Sequence, residues 1–342
     1  MLGKETDFDL TGRNTFGMKV RCACFVEYDS EEDLRTLDFN SLPQPVMPVG
    51  EGSNLLFTGD FRGTLLHSGI RFVKYVDLGL DDVYMAVGAG VIFDDFCRRA
   101  CEAGYWGAEN LSLIPGQVGA AAVQNVGAYG AEVSDIISGV VCYDTVERKK
   151  VTFKGKDCRY AYRDSRFKGE DKGRYIVTSV LFHLTRKHSP NTAYKGIGEA
   201  LGGTDPKTPQ QVREAVIRIR RQKLPDPCET GSAGSFFKNP VVSENRFRVI
   251  AAQARENGGE EVPHYDAGEG KVKIPAAWLI DRCGLKGVVE GGAAVYEKRI
   301  VRTLTRILDD CHRCGERKAV RRTADELVER VFLVERHRRD ER

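Results

Sequence analysis

No stretch of this chain can cross a bilayer: hydrophobic residues make up 41% of its 342, yet no uncharged run approaches the ~18 residues a span requires. The opening MLGKETDFDLTGRNTFG lacks the apolar core of a signal peptide, so a cytoplasmic protein without membrane association is expected. Charge of one sign is missing too. Lys plus Arg is 52 and Asp plus Glu is 49, a net of +3, too little to indicate a nucleic-acid partner. The standard nucleotide loops are absent. There is no GxxxxGK[ST], and Gly88-Ala-Gly90-Val-Ile-Phe93 fails the last position of GxGxxG. HExxH and GxSxG are absent as well, which removes the commonest zinc-protease and hydrolase chemistries. Cys311 and Cys314 have the spacing of half a zinc site, but no second CxxC completes it, and no metal is expected.

What remains fits a globular enzyme or binding protein of two or three domains, at ~100–200 residues each. Without an export signal the ten cysteines read as free thiols. Cys97 and Cys101, one helical turn apart among Ile92, Phe93, Phe96 and Ala100, read as core filling. Ser30-Glu-Glu-Asp33 predicts a helix start with acids in its first turn. MAVGAGVI and YIVTSVLFHL predict buried strands. Thr208-Pro-Gln-Gln211 predicts a capping box, followed by the stripe Val212, Ala215, Val216 and Ile219. The polar, glycine-rich stretch 187–207 suggests a loop and a boundary near 205 in a mixed α/β chain.

Glycine is abundant at 36 residues and clusters. Four stretches stand out. Val49-Gly-Glu-Gly-Ser-Asn-Leu-Leu-Phe57 is either a plain turn between apolar runs or a set of backbone N–H groups that cradles a phosphate. From Pro115 to Ala131 small residues dominate, which suits either helix–sheet packing or close approach to a large flat ligand. Tyr160-Ala-Tyr-Arg-Asp-Ser-Arg-Phe-Lys168 combines aromatics with guanidinium forks, as a carboxylate or phosphate site or as a solvated charged turn. Lys223-Leu-Pro-Asp-Pro, followed by Gly231-Ser-Ala-Gly-Ser-Phe-Phe-Lys-Asn-Pro240, offers Ser232 and Ser235 among glycines, as in many plain loops.

Taken together, NTFG, GEGSNLLF, GAENLSLIPGQVGAAAVQNVGAYGAEV, YAYRDSRFK, KLPDP, GSAGSFFKNP and AAWLIDRCGLKGVVEGGAAVYEK occur in an order that resembles the UDP-N-acetylenolpyruvoylglucosamine reductase family, over roughly residues 10–297. The loop carrying Tyr194 resembles that of the family's longer-loop subclass. The resemblance implies an α+β fold: a vanillyl-alcohol-oxidase-type FAD-binding domain of two α+β subdomains, and a C-terminal α+β substrate domain. Here these would be 1–205, divided at about 65/66, and 206–342. It further implies FAD and NADPH as cofactors and UDP-N-acetylglucosamine enolpyruvate as the small-molecule substrate. Reduction to UDP-N-acetylmuramate would place the chain in peptidoglycan synthesis, and hence in cell shape and division.

Residue by residue, the resemblance makes Arg163 the catalytic arginine and Ser235 the proton donor. Gly50, Glu51, Gly52, Ser53 and Asn54 match the flavin diphosphate turn. Pro115, Gly116, Gly119, Ala120, Gln124, Asn125, Gly127 and Tyr129 match the flavin wall, in which two family serines are here Ala120 and Ala121. Tyr162, Tyr194, Arg220, Lys223 and Asn239 match substrate-binding positions. The tail departs from the pattern. Residues 297–342 hold 14 Lys/Arg against 10 Asp/Glu, leaving 38 and 39 elsewhere, and the family's closing L-x-P-E-V strand is missing. By position Glu335 matches its catalytic glutamate. Thr323-Ala-Asp-Glu326, with Leu327, Val328, Val331 and Phe332, instead predicts a helix running to or through 335, which would make Glu335 a solvated carboxylate. A disabled flavin- or UDP-sugar-binding relative is the alternative such a tail suggests. An alcohol oxidase of the same superfamily is a further alternative, which GSFFKNP and KLPDP oppose.

Overall fold

The computed structural model arranges the described residues in sheets of five, four, four, three and two strands. It describes residues 2–77, 81–194, 196–235, 237–256, 261–290, 293–295 and 303–306. Two compact units emerge. The first comprises Met1–Asn14, Met18–Ser53 and Gly59–Gln222; the second comprises Thr15–Gly17, Asn54–Thr58 and Lys223–Arg342.

In the first unit a four-stranded sheet runs in the order Gly3–Asp9, Arg21–Tyr28, Phe61–Ser68, Val46–Val49. Its inner pairings are parallel and its Gly3–Asp9 edge is antiparallel. A five-stranded sheet is antiparallel throughout, in the order Lys149–Lys154, Ile137–Asp144, Tyr175–Thr185, Asp82–Gly88, Val73–Asp77. The apolar runs seen in the sequence form its centre: Met85, Val87, Val180 and Phe182 are buried. They pack with Phe93, Phe96, Cys97 and Ala100 of helix Phe93–Glu102, and with Val118 and Ala122 of helix Val118–Gln124. Cys97 and Cys101 are therefore core fillers, as their spacing suggested, but Ile92 lies outside the core at 37% exposure, just before the helix. Burial pushes the Cys22 and Cys158 thiols up to about 11, so they stay protonated near neutral pH.

Local signals are realised where the sequence placed them. Ser30 Oγ accepts from Asp33 N at 3.1 Å and starts helix Glu31–Thr36. Pro209 opens helix Pro209–Lys223, and Gln211 Oε1 accepts from Thr208 N and Lys207 N at 3.2 and 2.6 Å. Val212, Val216 and Ile219 are buried with Trp106 and Ile197, and Ala215 is buried too. The 187–207 stretch contains a short helix, Ile197–Ala200.

In the second unit, strands Gly231–Ser235, Thr303–Arg306, Ala293–Val295 and Val289–Glu290 form one sheet. Val241–Ser243, Lys271–Lys273 and Tyr265–Asp266 form another. Phe237, Ile280, Leu285 and Val295 make a small core.

Candidate active site

Three of the four singled-out stretches meet in the first unit, around helix Val118–Gln124. The Gly50–Asn54 turn lies against the helix's approach: Ser53 Oγ donates to Pro115 O at 3.3 Å, and a Cβ on Gly50 would sit 3.2 Å from Ala120 Cβ. Gly52 must be glycine, because its φ is +64° and a Cβ there would collide with the Arg13 carbonyl. That carbonyl immediately precedes NTFG, where buried Asn14 holds a turn by donating to Leu10 O and Met18 O and accepting from Met18 N. Beneath the turn, Gln117 Nε2 donates to Ser68 O and Gly90 O and lies 3.2 Å from His67 Nε2. Burial lowers the His67 pKa, which favours the neutral ring. Gly119 packs on Ala89, where a Cβ would come within 2.9 Å.

The YRDS stretch docks on the other end of the same helix. Asn125 caps it in the left-handed region at φ +47°, and its Nδ2 donates to Glu132 Oε2 and Ala161 O. Arg163, also left-handed at φ +56°, donates from Nη1 to Asn125 O at 3.1 Å and from Nη2 to Gly127 O. A Cβ on Gly127 would press on Arg163 Nη1 at 2.8 Å, so this glycine lets the guanidinium approach. The Tyr162 ring lies 5.4 Å from the guanidinium carbon. Lys168 Nζ donates to Gln124 Oε1 and to Arg163 O, at 2.6 and 2.8 Å. Arg163 is thus a non-glycine residue at positive φ that is tied by both its backbone carbonyl and its side chain.

A third group of predicted residues meets at Tyr129. Its ring packs edge-on against Tyr194 at 5.2 Å, and its hydroxyl bonds to Arg220. Arg220 Nε is buried and meets no acceptor among the described residues. The chemistry of this group suits an anion with an aromatic face.

Sequence reading missed the residues that hold these groups. Arg213 forms a buried two-pronged ion pair with Asp94, at 2.5 and 2.9 Å, which fixes helix Pro209–Lys223 and with it Arg220. Arg213 and Arg220 are seven residues apart, two helical turns, which was the available signal. Asn110 and Asn191 gave no periodic signal.

The remaining predicted residues belong to the second unit or to a unit's edge. Lys223 ends its helix. Ser235 lies on strand Gly231–Ser235, in register with Thr303. On that strand Ser232 exchanges hydrogen bonds with Thr15 of NTFG, at 2.8 and 2.7 Å. Asn239 Oδ1 accepts from Ala276 N at 2.9 Å and so caps helix Ala276–Arg282. Glu335 and the predicted helix before it lie outside the described residues, as do Cys311 and Cys314.

A family model described as "FAD binding domain" matches residues 22–147, and one described as "UDP-N-acetylenolpyruvoylglucosamine reductase, C-terminal domain" matches 226–302. A UDP-N-acetylenolpyruvoylglucosamine reductase of Bacteroides fragilis is 43% identical over 86% of this chain and 87% of its own. The chain belongs to the UDP-N-acetylenolpyruvoylglucosamine reductase family. Another member, from Chromobacterium violaceum, is 41% identical over 97% of this chain and 96% of its own. That match extends well beyond residue 297, so the tail is not foreign to the reductase family, and the comparisons lend no support to a disabled relative. The crystal structure of the reductase from Thermus caldophilus has the same fold, with a TM-score of 0.62 at 23% identity over 97% of this chain and 94% of that one.

Proposed function

We propose that this chain reduces UDP-N-acetylglucosamine enolpyruvate to UDP-N-acetylmuramate for peptidoglycan synthesis, using NADPH. Family membership makes it an FAD-dependent oxidoreductase. Bound FAD would supply the hydride chemistry that links NADPH to the terminal carbon of the substrate's alkene. The site's geometry fits that cofactor: glycines at 50 and 116 remove side chains where the turn and the helix's approach meet. Gly50, Glu51, Gly52, Ser53 and Asn54 would hold the diphosphate. Pro115, Gly116, Gly119, Ala120, Gln124, Asn125, Gly127 and Tyr129 would line the flavin.

The chain's own task is charge and one proton. As hydride arrives, negative charge moves onto the substrate carboxylate. A fixed cation aimed there lowers the barrier most. We assign that role to Arg163, whose guanidinium plane is set by two carbonyls. Its placement at the end of the small-residue wall is the observation that carries the proposal. Ser235 would give its hydroxyl proton to the central carbon, a strongly basic enolate carbon that even a weak acid can protonate. Glu335 would assist as the carboxylate supplied by the tail. Tyr162, Tyr194, Arg220, Lys223 and Asn239 would bind the UDP-sugar, with Arg220 Nε set to meet a phosphate oxygen.

The substrate side corresponds to the C-terminal part, 206–342, and the flavin side to 1–205, divided near 65. Among the described residues no helix is long and apolar enough to cross a membrane, and a reaction between NADPH and a UDP-sugar belongs in the cytoplasm. The test is anaerobic. NADPH should bleach the yellow protein, and addition of UDP-N-acetylglucosamine enolpyruvate should restore the colour with formation of UDP-N-acetylmuramate. Bleaching without recovery would favour a disabled relative, and oxygen uptake with sugar alcohols would favour an oxidase.

A further inference from the structure

Resting on the reading that Tyr194 contacts the UDP-sugar, we infer that Asn110 is a positioning residue that sets Tyr194 against Tyr129. Asn110 is 1% exposed. Its single amide nitrogen donates twice, to Tyr129 O at 2.8 Å and to Asn191 O at 2.9 Å. The two carbonyls belong to segments 81 and 19 residues away from Asn110 in sequence: the 187–194 loop and the flavin wall. Asn191 answers by donating from its own Nδ2 to Gly130 O at 3.2 Å. The loop is thus held to Tyr129-Gly130 by one direct hydrogen bond and by two that run through Asn110, and three residues after Asn191 the Tyr194 ring rests on Tyr129 at 5.2 Å.

The geometry asks for a side chain with two donors on one atom, which an amide supplies and a carboxylate or hydroxyl does not. Asn110 Oδ1, also buried, meets no donor among the described residues. The amide is thus poorly suited to its pocket except through its two donated bonds, so tethering the two carbonyls is what it contributes. Tyr129 is left-handed at φ +52°, and Gly130 follows at φ +82°. A bond to each carbonyl oxygen stabilises this turn, where the backbone alone would resist it.

The test compares Asn110→Leu, Asn191→Ala and Tyr194→Ala in the FAD-loaded enzyme. Asn110→Leu should raise KM for the enolpyruvyl substrate about tenfold, the worth of one to two lost hydrogen bonds, while leaving the rate of flavin reduction by NADPH unchanged. It should also speed amide exchange across 188–194. Asn191→Ala, a change at a half-buried residue outside the apolar core, should move both readings the same way by a smaller factor. Unchanged exchange in both variants overturns the tether. Faster exchange with unchanged KM overturns the positioning role. If Tyr194→Ala itself leaves KM unchanged, the reading of Tyr194 fails instead, and amide exchange alone decides the tether.

Discussion

Asp94 and Arg213 face each other across 119 residues of sequence in a two-pronged ion pair, with Arg213 only 6% exposed at its side chain. Asp94 also accepts from Leu113 N at 2.5 Å. One carboxylate therefore ties helix Phe93–Glu102 to helix Pro209–Lys223 and to the loop that leads into the flavin wall. Burial opposes its ionised form, but the bonds from Arg213 and Leu113 outweigh burial, and the Asp94 pKa lies below its ordinary 3.8. Removing Asp94 strands a buried guanidinium, so Asp94→Ala should cost about 3–5 kcal/mol, read as a fall in the denaturation midpoint. A depressed folded pKa contributes stability that is present above 3.8 and lost as pH falls through the lower folded value. Acid titration of stability should therefore show a component below pH 3.8 in the parent that Asp94→Asn abolishes. Coincident acid curves for the two proteins would refute this account.

Flavin should leave with the supernatant when the purified protein is denatured in acid. The Gly50–Asn54 turn and the Pro115–Tyr129 wall contain no His or Cys to tether it. Yellow colour remaining in the acid pellet would contradict noncovalent binding.

Arg163→Lys should lose about 10²-fold or more in kcat although the charge is kept. The two carbonyls of Asn125 and Gly127 set a planar fork, and an ammonium is a point charge that cannot occupy that geometry and also clasp a carboxylate. Steady-state turnover within a few-fold of the parent would remove Arg163 from the role.

Most of the first unit was legible in the sequence because its signals are local. Ser30, Pro209 and the stripe from Val212 to Ile219 report on neighbours within a few residues, and each stands where it was expected. The glycine and YRDS stretches were legible as long motifs, but that Arg163 would rest on Asn125 and Gly127 was not, since that contact spans 36–38 residues. Asn110 was invisible for the same reason: a buried polar residue declares itself only through distant partners. Ile92 was misplaced because an apolar residue just before a helix start falls outside the helix's own periodicity.

Ser235 offers the sharpest division of labour. It lies on strand Gly231–Ser235, opposite Thr303, far in sequence from the flavin wall. If its hydroxyl supplies the proton, Ser235→Ala should leave NADPH reduction of the flavin untouched, because that half-reaction puts no proton on a substrate carbon. Reoxidation by UDP-N-acetylglucosamine enolpyruvate should slow by about 10²-fold or more, the usual worth of a positioned acid. Glu335→Gln separates the tail from this role. A carboxylate that assists proton delivery or steadies the developing charge acts in the same half-reaction, so Glu335→Gln should also slow reoxidation and spare reduction. A solvated carboxylate at a helix end would do neither. The double variant then decides whether they act together: residues serving one proton transfer should lose little more in combination than Ser235→Ala loses alone. Multiplicative losses would assign Glu335 a separate task, and equal slowing of both half-reactions by Ser235→Ala would mean that Ser235 supports the strand rather than the chemistry.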